Sequence, residues 1–165
     1  MRILGVDPGS QATGFGAIDS DGSIHTLVEF GVFRTSPKLS FPDKLRAIHE
    51  SLNEVVERCR PEEMVVENLF YASNVKSALR LGHVRGVVIL AGVLRGIPIR
   101  EYAPLEVKQA VVGYGRADKE QVQKMVAMLL VMDVAPEPHD AADALAVALC
   151  HANQMRFARK VAAAP

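Results

Sequence analysis

The chain is poor in cysteine, lacks an apolar run at its start and carries no surplus of charge of either sign. Cys59 and Cys150 are its two cysteines in 165 residues. They lie far apart without a CxxC partner, so they indicate neither a disulfide framework nor a zinc ribbon and read as reduced thiols of a cytosolic protein. The opening MRILGVDPGS reaches Asp7 and the Pro8-Gly9 turn too soon for the apolar core of a signal peptide. No later apolar run approaches membrane-spanning length by eye, so a soluble, cytoplasmic protein with no membrane contact is expected. There is no internal repeat, low-complexity tract or long linker; the longest proline-rich stretch is APEPH at 135–139. What is present is apolar substance, 49% of the side chains, enough for one sizeable core. One domain over residues 1–155 is expected, with 156–165 as a short flexible tail.

Lys and Arg number 19 against 19 Asp and Glu, so bulk charge gives no support for a nucleic-acid partner, which usually goes with a basic surplus. The distribution is uneven. Between Lys76 and Lys124 there are nine basic residues (Lys76, Arg80, Arg85, Arg95, Arg100, Lys108, Arg116, Lys119, Lys124) against four acids. A middle segment of that kind suits phosphates while acids elsewhere hold cations, although an ordinary solvated surface also produces such asymmetry.

Hydropathy patterning predicts three strands first, over Arg2–Val6, Thr13–Asp19 and Ile24–Arg34, with Ser20-Asp21-Gly22-Ser23 turning between the second and third. Phe41–Arg60 carries Leu45, Ile48, Leu52, Val55 and Val56 at helical spacing and stops before Pro61. A short strand at Met64–Glu67 follows, then a helix capped by Asn74 and running to about Arg95. Its Gly82, Gly86 and Gly92 lower helix propensity and read as sites of close packing or of a subunit interface. Ile97–Tyr102 is a further strand. Helices follow at Pro104–Val112, at Lys119–Val131 behind Asp118, and from about Pro138 through ALAVALCHA. The order suggests an α/β fold, a mixed five-stranded sheet flanked by helices on both faces, compatible with an RNase H-like architecture.

Four carboxylates stand out. Asp7 and Glu67 each follow a short apolar strand (ILGVD, MVVE), and buried there without compensation both pKa values would rise. Asp140 and Asp143 sit three apart at the start of the last helix, on one face. Placement near the positive end of the helix dipole is a purely structural alternative for that pair. Taken together, the four form a hard-oxygen set suited to two Mg²⁺ or Mn²⁺ ions. In two-metal phosphodiester cleavage one ion activates the attacking water and the other stabilises the leaving oxygen, the two standing about 4 Å apart. His139 is a further ligand candidate, or a capping or surface residue, because helix neighbours point in different directions.

The segments ILGVDPGSQATGFG (3–16), VVENLFYASN (65–74), VKQAVVGYGRADKEQVQKMV (107–126) and HDAADALAVALCHA (139–152) resemble, in order and spacing, the RuvC family of bacterial Holliday junction resolvases. The resemblance spans nearly the whole chain. It implies an RNase H-like homodimer in which each subunit makes one of two paired, symmetric, metal-dependent nicks in a four-way junction, leaving ligatable 5′-phosphate ends, in recombination and repair. Partnership with a branch-migration helicase is implied in the same way. Carried over motif by motif, Asp7, Glu67, Asp140 and Asp143 are the metal-binding acids. Phe70 is the exposed aromatic that stacks on a base near the junction centre, worth about 1–3 kcal/mol if it does. Packing between strand and helix is the alternative for that residue. Lys108 and Lys119 match basic residues near the scissile phosphate, with Lys76 and Arg116 as further DNA contacts. Glu137, Pro138 and His139 depart from the family pattern.

Two other readings compete. DPGS followed by TGFG resembles the phosphate hairpin of actin-like ATPases and sugar kinases, but those enzymes close two such domains around the nucleotide and this length supplies one. A junction-binding scaffold without chemistry is the second, and it does not explain why all four acids are present.

Overall fold

The computed structural model describes residues 1–68 and 74–162. Three antiparallel strands open the fold: β1 (Arg2–Asp7), β2 (Ala12–Ser20) and β3 (His25–Arg34). The second turn is built by its own side chain, since Asp21 Oδ1 accepts the Ser23 and Ile24 N–H groups at 2.7 and 2.9 Å, and Gly22 adopts φ 96°. Helix α1 (Phe41–Cys59) starts where the Ser40 hydroxyl accepts the Asp43 N–H, and ends where Arg60 turns left-handed at φ 48° before Pro61. Then come β4 (Glu63–Glu67), α2 (Val75–Leu94), β5 (Ile99–Tyr102), α3 (Pro104–Val112), α4 (Lys119–Leu129) and α5 (His139–Ala162).

The strands form one sheet in the order β3-β2-β1-β4-β5. β1 pairs antiparallel with β2 and parallel with β4, and β4 pairs parallel with β5. Side chains alternate across this sheet and divide the core in two. Leu4, Val6, Phe15, Ala17, Met64 and Val66 pack with α1 and α2 through Ile48, Leu52, Val84 and Val88. On the opposite face Ile3, Ile18 and Val65 pack under α3, α4 and α5. Helices therefore cover both faces, and the expected mixed sheet is present.

Helix α5 is the central one. Ala141, Ala142, Ala144–Cys150 and Ala152 are all buried, a helix apolar nearly all round as burial between layers demands. It continues through Ala162, so residues 156–162, expected as a flexible tail, are helical. Small side chains explain how close it comes to the sheet. A Cβ added at Gly5 would overlap the Ala144 carbonyl, one at Gly14 the Asp140 carbonyl, and one at Gly16 the Leu145 side chain.

Helix α2 departs from expectation in two ways. It is 20 residues long, and an 18-residue stretch of it has a mean hydropathy of 1.4, long and apolar enough to cross a membrane by length and composition, although only 22% of that stretch is buried. Lys76, Arg80 and Arg85 break the run in the sequence, which is why it escapes a reading for continuous apolar stretches. The close-packing expectation for its glycines holds for Gly92 alone, where a Cβ would run into the Met64 and Ile99 side chains; Gly82 and Gly86 face open space. With Leu45, Ala78, Leu79, His83, Val87 and Leu90 they line an apolar groove of about 560 Å³.

Candidate active site

Asp7 and Glu67 end two neighbouring parallel strands. The pairing Val6↔Val66 sets them level, and their odd positions put both on the α5 face with Ile3, Gly5 and Val65. Gly14 pairs with Asp7. Because Gly14 lets the α5 backbone lie on the sheet at Asp140, the first turns of that helix, with Asp140 and Asp143, arrive beside the ends of β1 and β4. The loop leaving Asp7 is pinned by buried Thr13, whose hydroxyl donates to the Gly9 carbonyl at 2.7 Å and accepts the Gly9 N–H at 3.3 Å.

The charges feel one another. Burial, then Glu67, Asp143 and Asp140, push the Asp7 carboxyl up to about 8. Burial and Asp143 push Glu67 up to about 7, while Lys119 and Lys108 pull it down. Lys119 Nζ lies 3.3 Å from Asp143 Oδ2, and that carboxylate raises the Lys119 ammonium. A cavity of about 230 Å³ is bounded by Glu67, Lys108, Lys119 and Asp143 over an apolar floor that includes Val107, Val122 and Ala146.

Five of the sequence-selected residues thus share one end of the sheet, and Lys108 joins them. His139 is exposed at the start of α5 and contributes to neither carboxyl shift. Lys76 and Arg116 are exposed and border no part of this cavity. Phe70 lies outside the described residues. Among the described residues no three Asp, Glu, His or Cys side chains are gathered tightly enough to grip one ion as they stand, although the acids are near enough to shift one another. Burial is the first cause of both carboxyl shifts, and like-charge repulsion adds to it. The donor chemistry fits a hard divalent cation, with carboxylate oxygens and no thiol at the site.

Sequence reasoning missed the glycines and Thr13. The signal was there in T-G-F-G: glycines two apart in a strand fall on one face, and a face without side chains is where a helix comes close.

An antiparallel three-stranded unit continued by two parallel strands, with helices on both faces and an acidic cluster at the strand ends, defines an RNase H-like fold carrying a nuclease-type site. The chain belongs to the RuvC family, whose model, described as crossover junction endodeoxyribonuclease RuvC, matches residues 3–151. It is 49% identical over 157 residues to the crossover junction endodeoxyribonuclease RuvC of Magnetococcus marinus, covering 95% of this chain and 87% of the relative. To that of Pelotomaculum thermopropionicum it is 47% identical over 161 residues, 98% of both chains. Among solved structures, Thermus thermophilus RuvC in complex with a Holliday junction substrate superposes with a TM-score of 0.90 at 36% identity, over 96% of each chain.

Proposed function

We propose that this protein is a structure-selective endonuclease that resolves four-way DNA junctions by paired, symmetric hydrolytic nicks, with Asp7, Glu67, Asp140 and Asp143 holding two Mg²⁺ or Mn²⁺ ions. The observation that carries the reading is the gathering of four acids from β1, β4 and α5 beside Lys119, at a site where burial and the neighbouring acids lift Asp7 to about 8. A divalent cation bound there supplies Lewis-acid charge and eases deprotonation of the attacking water. The chain's own groups do the rest. Lys119, held by Asp143, neutralises the phosphate as a point charge, and Lys108, which lines the same cavity, does the same. Lys76 and Arg116 contact the backbone further out, Phe70 stacks on a base at the junction centre, and His139 is left as a surface residue.

The second subunit of the homodimer docks on α2. Leu79, Val75, Val93, Leu94 and Leu90 are half or more exposed there, and Gly82 and Gly86 leave room for a neighbouring backbone. Partnership with a branch-migration helicase and a cytoplasmic location rest on the family. The test is a labelled four-way junction incubated with a Mg²⁺, Mn²⁺ and Ca²⁺ series. Paired symmetric nicks with 5′-phosphate ends are expected; a mobility shift without nicks under every ion would instead identify a non-catalytic scaffold, and nucleotide hydrolysis without DNA an ATPase.

A further inference from the structure

Lys108 and Lys119 share the cavity with Glu67, which ends β4, yet two further cations stand at the same end of the sheet on its β3 side. Arg34 closes β3 and Lys44 lies in the first turn of α1. With Gln11, Thr35, Ser36 and Pro37 they line an open cleft of about 650 Å³. Strand pairing fixes its position. Arg34 pairs with Ala12, two residues before Gly14, the partner of Asp7, so alternation sends the Arg34 side chain out on the face that carries Asp7. Two strand spacings, about 10 Å, separate β3 from β1.

The cleft is tied to the catalytic loop. The Thr35 N–H donates to the Gln11 carbonyl at 3.1 Å and its hydroxyl to the Ser10 carbonyl at 2.9 Å, and Ser10 and Gln11 belong to the loop that leaves Asp7. The two cations are also uncommitted. Asp43, next to Lys44, is bonded by Ser40 and Arg46, and among the described residues no ion pair joins Arg34 or Lys44 to an acid. Arg34 is exposed and Lys44 half-buried.

We propose that Arg34 and Lys44 bind backbone phosphates of the junction strand on the side of the acids opposite Lys108 and Lys119. An offset on the order of 10 Å between strands places these contacts within a few nucleotides of the cut. The strand is then held on both sides of the scissile phosphate, by the Arg34 fork and the Lys44 point charge at one end and by the two lysines at the other. Such contacts set register without reading bases. The inference rests on the endonuclease reading.

The test measures equilibrium binding of a synthetic four-way junction in EDTA between 50 and 200 mM NaCl, for the wild type and R34A/K44A. Each phosphate contact contributes about 0.9 to the slope of log affinity against log salt, so losing two flattens it by about 1.8. Over this fourfold rise in salt the wild type then loses about 12-fold more affinity than the variant. R34Q/K44Q, which keeps polar side chains of similar length, is read in the same way if the alanine pair melts early, and R34K/K44R is expected to restore the slope. A wild-type slope in both charge-removed variants, with junction binding intact, overturns the inference. A wild type that neither binds nor nicks the junction overturns the endonuclease reading itself, which is a distinguishable result.

Discussion

Replacing Asp7 by Asn is expected to make the protein more stable while destroying its cleavage activity. The folded state holds the Asp7 carboxyl at about 8, against an ordinary value of 3.8, chiefly through burial and the neighbouring Glu67, Asp143 and Asp140. Because the folded value is the higher one, the folded protein keeps a proton that the unfolded chain releases between roughly pH 4 and 8. Stability is therefore complete below the lower value and drains away as pH rises through the upper one. About four pKa units at 1.36 kcal/mol each set a ceiling on the order of 5 kcal/mol for the penalty near pH 8. Asn removes the charge but still buries an amide, so a gain of about 2 kcal/mol is expected, or roughly 4–8 °C in Tm for a chain of this size. The assay is thermal unfolding by circular dichroism in EDTA at pH 5 and pH 8, with the gain largest at pH 8. Mg²⁺ at about a hundredfold over its Kd should return about 2.7 kcal/mol to the wild type and narrow the gap. Junction binding by the variant should persist while nicking disappears. A variant less stable than the wild type at pH 8 in EDTA would refute the account of Asp7 as a carboxyl whose charge is penalised by burial and by its acidic neighbours.

Lys119→Ala should lower single-turnover cleavage by tenfold or more and leave the melting temperature nearly unchanged, since the Lys119 side chain is itself mostly exposed and its ion pair is worth about 1 kcal/mol at most; equal losses in both measurements would count against a role at the phosphate. Gly14→Ala should cost about 1–3 kcal/mol or more through overlap with α5 and reduce cleavage further by displacing Asp140, whereas Gly86→Ala, facing open space, should leave the fold of one subunit intact in denaturant melts. Leu79→Glu with Leu90→Glu should yield monomers in sedimentation analysis without loss of helical signal, and a persistent dimer would place the interface elsewhere than α2.

The sequence by itself determined the elements and their chemistry. Strand alternation, the Ser20–Ser23 turn, the helical spacing after Phe41 and the stop before Pro61 are local rules, and among the described residues local rules placed the strands and helices to within a few residues, except the end of α5, which runs to Ala162. The same locality made Asp7 and Glu67 conspicuous, because a carboxylate straight after an apolar strand needs compensation wherever the strand goes. Only the tertiary structure decided that β1 and β4 are neighbours, level at Val6 and Val66, and that Gly5, Gly14 and Gly16 let α5 settle on them so that Asp140 and Asp143 complete the cluster. It also decided that α2 is apolar on a face turned outward, and that Arg34 and Lys44 share the acids' end of the sheet. Pairing and burial are relations between segments far apart along the chain. Propensity and periodicity act over a few residues and carry no information about which distant segment will fill the space a glycine leaves.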